Sequence, residues 1–100
     1  MDYQVILSPR AIRDLQSIVR YIAWDSPVDA AKFGKHLIAK AGSLATLPER
    51  GRVVPEFHDP TIRELIVKPY RIVYRVQHER QQIEVARFWH GAQDRLEVLE

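Results

Sequence analysis

Residues 63–76 read RELIVKPYRIVYRV. Two runs rich in β-branched and aromatic residues, Ile62–Val67 and Tyr70–Val76, are separated only by Lys68-Pro69, a spacing that makes a hairpin. Side chains alternate across a strand. Tyr70, Ile72, Tyr74 and Val76 therefore share one face, while Arg71, Val73 and Arg75 share the other. The first set suits a core, which leaves Arg71 and Arg75 on the open face of the sheet. A slip of one residue would bury both cations, so the register of this strand is strongly constrained. On this reading Arg71 is exposed and Arg71→Ala leaves folding nearly intact. An arginine held on a strand is a natural grip for phosphate or carboxylate. The plainer reading is a solvated face whose arginines pair with Glu64 and Glu84.

Outward from this hairpin, Ile83–His90 is a third strand, joined through the turn HERQQ at residues 78–82. Simple alternation puts Ile83, Val85, Arg87 and Trp89 on one face, and Glu84, Ala86, Phe88 and His90 on the other. Alternation alone does not bring Arg71 and Arg87 together. Upstream, GRVVPEFHDPT reads as a loop with a short edge strand at Val53-Val54, because Pro55 and Pro60 disfavour a central strand. Gly51-Arg52 serves a turn, with Arg52 available to the basic face.

Tyr3–Leu7 is a short first strand. Ser8-Pro9 then reads as an N-cap with proline at the first helical position. Ile12, Leu15, Val19 and Ile22 form one apolar stripe, with Arg13, Asp14, Gln16 and Arg20 mostly on the other side. Asp25 or Ser26 caps a second helix starting at Pro27, with a stripe of Ala30, Phe33, Leu37, Ala41 and Leu44. Helices are predicted at residues 9–24 and 27–46. Two helices joined by so few residues form an antiparallel hairpin. Each buried Leu, Ile or Phe contributes roughly 1.5–3 kcal/mol, and neither stripe is satisfied by the other helix alone, so the hairpin must lie on the sheet. The expected fold is α+β: an N-terminal strand, then an antiparallel helical hairpin packed on one face of an antiparallel β-sheet meander, in the order β-α-α-β-β-β.

The chain has 100 residues, 46% hydrophobic and 28% charged, which fits one ordinary globular domain over residues 1–100. With no cysteine, disulfides and thiolate metal sites are excluded. The histidines, His36, His58, His78 and His90, lack metal-ligand spacing, and no metal or other cofactor is expected. No apolar run approaches the roughly 18 residues of a membrane span, and MDYQVILSPR lacks the pattern of a signal peptide. A cytoplasmic protein with no membrane partner is expected. The net charge is +2. From Arg50 to His90 eight Lys/Arg stand against five Asp/Glu, while the last ten residues set Arg95 against Asp94, Glu97 and Glu100. A basic middle suits an acidic partner, either nucleic acid or an acidic protein segment.

The segments RYIAWDSPVDAAKFGKHL, LATLPERGRVVPE, IRELIVKPYRIVYRV and VARFWHGAQD together resemble the RelE/ParE superfamily of toxins from bacterial type II toxin-antitoxin systems. The combination L-x-x-x-P-x-x-G-R, R-E-L and P-Y-R-I-x-Y is more specific than any one fragment. The resemblance implies a helical hairpin on an antiparallel sheet and a plasmid-stabilisation or stress-response role. It also implies neutralisation by a cognate ParD/RelB-like antitoxin in a hetero-oligomer. Two activities follow from it. RelE-like members cut mRNA on the ribosome without metal, using lysines, arginines and a tyrosine, or in some members His and Glu. ParE-like members poison DNA gyrase and lack much of that set.

Arg71 matches the arginine found in this strand across much of the superfamily. The strand before it, IRELIV, has no lysine, and no tyrosine follows Tyr74. The resemblance therefore favours a ParE-like gyrase inhibitor with no catalytic residues. Arg63, Arg71, Arg75, Arg87 and His90 are then expected to bind the target or the antitoxin. The alternative is a ribosome-dependent mRNA endoribonuclease with Arg71, Arg87, His90 and Glu64 as its catalytic set, His90 as general acid or base and Glu64 as base. A second alternative is an inactive toxin-fold interaction module. Trp24 and Trp89 are expected in packing, with an antitoxin contact as the other use, and Tyr70 and Tyr74 are expected in the sheet core. PERGR is no P-loop, since it lacks the G-K-[ST] ending.

Overall fold

The computed structural model describes residues 2–91. The elements are β1 (Gln4–Leu7), α1 (Pro9–Ala23), α2 (Pro27–Gly42), β2 (Arg52–Val53), β3 (Ile62–Val67), β4 (Tyr70–Gln77) and β5 (Gln82–His90), with a short 3-10 turn at Ser43–Ala45. The strands form one sheet in the order β1-β5-β4-β3-β2. The meander β2-β3-β4-β5 is antiparallel throughout. β1 joins its far edge parallel to β5, because the helical hairpin carries the chain away before the meander begins. The expected β-α-α-β-β-β order with the hairpin on one face is therefore present, with the two-residue edge strand β2 added before its last three strands and in a sheet of mixed direction.

Both helices start as their sequences dictate. The Ser8 side chain accepts from the Ala11 amide at 3.0 Å, and its hydroxyl donates to the Ala86 carbonyl at 3.0 Å, tying the start of α1 to β5. Ser26, not Asp25, caps α2. The buried stripe of α2 runs through Ala30, Leu37 and Ala41 and on to Leu44, as its spacing requires. On α1 the stripe is rotated. Ala11 and Ile18 are buried, Leu15 and Ile22 pack at the margin, and Ile12 is exposed. Gly34 lets α2 approach α1 closely, since a Cβ there would meet the Val19 side chain at 3.0 Å.

Two cores result, one on each face of the sheet. Under the helices lie Val67, Tyr70, Ile72, Tyr74, Val76, Ile83, Val85 and Phe88. On the opposite face Val54, Ile62, Val73 and Trp89 form a smaller cluster, with Phe57 packed against it. The segment after β2 folds back over that face, so it is not the open surface expected from the sequence. Simple alternation also fails in β5. Val73 pairs with Arg87 but Tyr74 pairs with Val85, so Ala86 is the extra residue of a β-bulge. The bulge reverses the parity of β5, placing Phe88 with Ile83 and Val85, and Trp89 in the opposite cluster. Trp24 departs from the packing expectation, lying 90% exposed at the C-cap of α1.

Candidate functional site

The face opposite the helices is organised around Glu64. Its position on β3 is set by pairing with Arg52 of β2 and Val73 of β4. Its side chain is fully buried, and both oxygens are used. Oε2 accepts from Arg52 Nε and Oε1 accepts from Arg71 Nε. One buried carboxylate thus holds two guanidinium groups by their inner nitrogens and leaves their outer nitrogens for other partners. Arg71 continues the network. Its Nη1 and Nη2 donate to the two oxygens of Glu56 at 3.3 and 3.2 Å.

The Arg71 side chain is 15% exposed, so it is half of a buried charge network rather than a free surface cation. Burial alone would lower its pKa, but the hydrogen bonds with Glu56 and Glu64 outweigh it and raise the value. The hydrogen bond from Arg71 conversely holds the Glu56 carboxyl below its ordinary 4.5. Arg52, Lys68 and Arg71, with Pro55, Ile66 and Pro69, line an open basin of about 520 Å³ beside this network. Arg75 lies on the same face, further along β4, near enough to Asp59 to add slightly to the lowering of that carboxyl, which is due chiefly to the Thr61 amide.

The remaining sequence-predicted residues are elsewhere. Arg63 pairs in register with Tyr74 and so stands on the helix side of the sheet. There its Nη1 donates to the Gly51 carbonyl at 2.8 Å and, at 3.4 Å, to that of Glu49, fastening the loop before β2. The same loop is held by its Gly51 amide, which donates to the buried Tyr74 hydroxyl at 2.9 Å. Arg87 follows the bulge, pairs in register with Val73 of the Arg71 face, and turns its guanidinium toward α1. Its Nε and Nη2 donate to Asp14 at 2.7 and 3.1 Å, and its guanidinium carbon lies 4.6 Å from the Trp89 ring centroid. His90 pairs with Tyr70 and meets that ring edge-on at 5.1 Å, on the helix side.

The four residues of the nuclease set are consequently divided. Glu64 and Arg71 lie on one face. Arg87 and His90 line a cleft of about 270 Å³ against α1, with Asp14, Tyr21 and Tyr70. A larger apolar groove of about 550 Å³ runs beside it, between the hairpin and the β3–β4 turn, lined by Tyr21, Phe33, His36, Tyr70 and His90. Arg95 and the C-terminal acidic residues lie outside the described residues. Among the described residues no group of His, Asp or Glu is placed to hold a metal ion, and no helix is long and apolar enough to cross a membrane.

Two residues of the site were not singled out from sequence. Glu56 sits in a loop, and nothing local marks it as a partner of a strand fifteen residues away. Asp14 was assigned to the outer side of α1, yet it accepts from Arg87 and from the Phe88 amide at 3.1 Å. It thereby satisfies the stretch of β5 that β1 is too short to cover.

A helical hairpin on a short mixed sheet is a fold shared with chains of known structure from toxin-antitoxin systems. The chain is similar in shape to a chain of the chromosomal ParDE toxin-antitoxin system from P. aeruginosa, at TM-score 0.72 and 21% identity over 88% of this chain and 95% of that one. The RelBE2 toxin-antitoxin complex from Mycobacterium tuberculosis matches at TM-score 0.66 and 22% identity, covering 90% and 99%. Residues 5–95 match the family of the ParE toxin of type II toxin-antitoxin system, parDE. Two relatives from Caulobacter vibrioides carry RelE names. Toxin RelE1 is 34% identical over 95% of this chain and 100% of its own length, and Toxin RelE2 is 43% identical over 73% and 80%. The chain belongs to the RelE/ParE superfamily of toxins of type II toxin-antitoxin systems.

Proposed function

We propose that the chain is a ParE-like toxin that inhibits DNA gyrase by binding, without catalysing a reaction, and that a cognate ParD/RelB-like antitoxin neutralises it in a hetero-oligomer. The observation that carries this reading is the division of the nuclease set. Metal-independent RNA cleavage needs a base, an acid and cations converging within hydrogen-bond reach of one phosphate. Here the base candidate Glu64 is buried under two arginines, and His90 is on the other side of the sheet. What remains around Arg71 is a rigid cationic surface suited to binding. The match to the ParE family supports the same branch.

The antitoxin reading rests on the apolar groove and on the exposed aromatics Tyr21 and Trp24 at the end of the hairpin. Such a groove suits an amphipathic segment that folds as it binds. The ParDE and RelBE2 structures are toxin-antitoxin assemblies of the same fold.

A ribosome-dependent mRNA nuclease is the second reading, favoured by the RelE names of both relatives and by the pairing of Arg87 with His90 in one cleft. Purified protein assayed in parallel on gyrase supercoiling and on mRNA in a translating extract separates the two. Inhibited supercoiling with intact mRNA is expected. Site-specific mRNA cuts with unaffected gyrase would reverse the assignment, and silence in both, with harmless expression in cells, would make the chain an inactive interaction module.

A further inference from the structure

The Arg71 guanidinium already holds a ligand-like group, the carboxylate of Glu56. Two carboxylates contact Arg71, and they differ in kind. Glu64 is fully buried, accepts from Nε, and cannot leave without stranding charge in the sheet. Glu56 is 46% exposed, sits on the loop after β2, and takes the two outward nitrogens in a bidentate contact at 3.2 and 3.3 Å. With Glu56 half exposed, water can take over its side of the pair, so the pair contributes less than a buried one and Glu56 is the partner that can be exchanged. Behind it lies the 520 Å³ basin, where Arg52 and Lys68 add cationic donors and Ile66, Pro55 and Pro69 add apolar wall.

We propose that Glu56 is an intramolecular stand-in for a carboxylate of an acidic protein segment, and that this segment binds the Arg52–Lys68–Arg71 basin by displacing Glu56. The inference rests on the reading of the Arg71 face as the working face and names the chemistry it takes. A carboxylate is favoured over a phosphodiester because a carboxylate is what the fork holds, with both oxygens in register with both outer nitrogens. Glu56 then acts as a latch that weakens binding of partners too poor in acidic residues to displace it.

The test is fluorescence-anisotropy titration of a labelled hexaglutamate peptide and a labelled hexauridylate with wild type, Glu56→Gln and the charge control Glu79→Gln. Glu79 is an exposed carboxylate on the turn before β5, away from the basin. Glu56→Gln is expected to bind hexaglutamate about two- to fivefold more tightly than wild type, the range set by release of one exposed ion pair. Glu79→Gln is expected to bind as wild type does. Equal gains in both variants would mean bulk charge and no latch, absence of peptide binding by every variant would remove the site, and a gain confined to hexauridylate would replace the carboxylate with a phosphodiester. Each readout is independent of gyrase, so failure of the gyrase reading and failure of this one are distinguishable.

Discussion

At Glu64 two guanidinium groups share one buried carboxylate, and this makes the residue more consequential than any single arginine around it. Glu64→Gln keeps the shape but not the chemistry. The amide oxygen can accept from one arginine while its NH2 must face the other. Loss of a charge-assisted hydrogen bond in a buried setting costs about 1.5–3 kcal/mol, so the melting temperature should fall by roughly 4–8 °C per kcal/mol lost. Thermal unfolding followed by circular dichroism reads this directly, and a variant melting with wild type would show that the network is ornamental. Arg71→Ala belongs to the same class. It is not the neutral surface change expected from alternation, because it leaves Glu64 with Arg52 alone. Glu56 contributes in the opposite pH sense to a cation. Its folded pKa is depressed below 4.5 by Arg71, so its stabilisation is present above about that value and is lost as pH falls through the lower folded pKa. Urea midpoints between pH 6 and pH 3 should therefore decline less steeply for Glu56→Gln than for wild type.

Among the elements, the loop from Thr46 to Gly51 and the bulged strand β5 show how long-range contacts finish what local pattern begins. A Cβ on Gly51 would lie 2.4 Å from the Glu64 carbonyl oxygen and 2.7 Å from the Tyr74 hydroxyl. Neither neighbour is a flexible tip, so Gly51→Ala should destabilise by at least the roughly 1–3 kcal/mol typical of overpacking, measurable as a lowered urea midpoint. Asp14→Ala should cost about 1.5–3 kcal/mol, since it removes charge-assisted hydrogen bonds from the buried Arg87 and frees the Phe88 amide. An unchanged midpoint would mean that the edge of β5 is satisfied in another way. Helix starts, the α2 stripe and the three hairpin strands were legible because each rests on spacing within a few residues. The Ala86 bulge was not, because an inserted residue is defined only against the partner strand. That one residue reversed the parity of Phe88, Trp89 and His90, and with it the grouping of the site. The separation of Arg63 from Arg71 was hidden for a different reason. Alternation in β3 separates it from Glu64, but only the register with Tyr74 shows which of the two faces the helices.

For the whole molecule, the sheet divides the surface into two regions with different chemistry. On the helix side lie an apolar groove and the Arg87–His90 cleft. On the other side lies the cationic network around Glu64. The binding reading proposed above places the working residues around Arg71, whereas the nuclease reading also needs Arg87 and His90 in the cleft. The binding reading predicts that His90 is dispensable for toxicity, and that Arg71 is not. Arg71→Lys is the informative variant, because it keeps a charge beside Glu64 while removing the planar fork. The most direct measurement is inhibition of gyrase supercoiling by wild type, His90→Ala and Arg71→Lys, each first shown by thermal melting to be folded. The account predicts that wild type and His90→Ala inhibit alike and that Arg71→Lys inhibits at least tenfold less, about 1.4 kcal/mol of lost binding. Supercoiling untouched by wild type, or inhibition lost in His90→Ala and retained in Arg71→Lys, would contradict it.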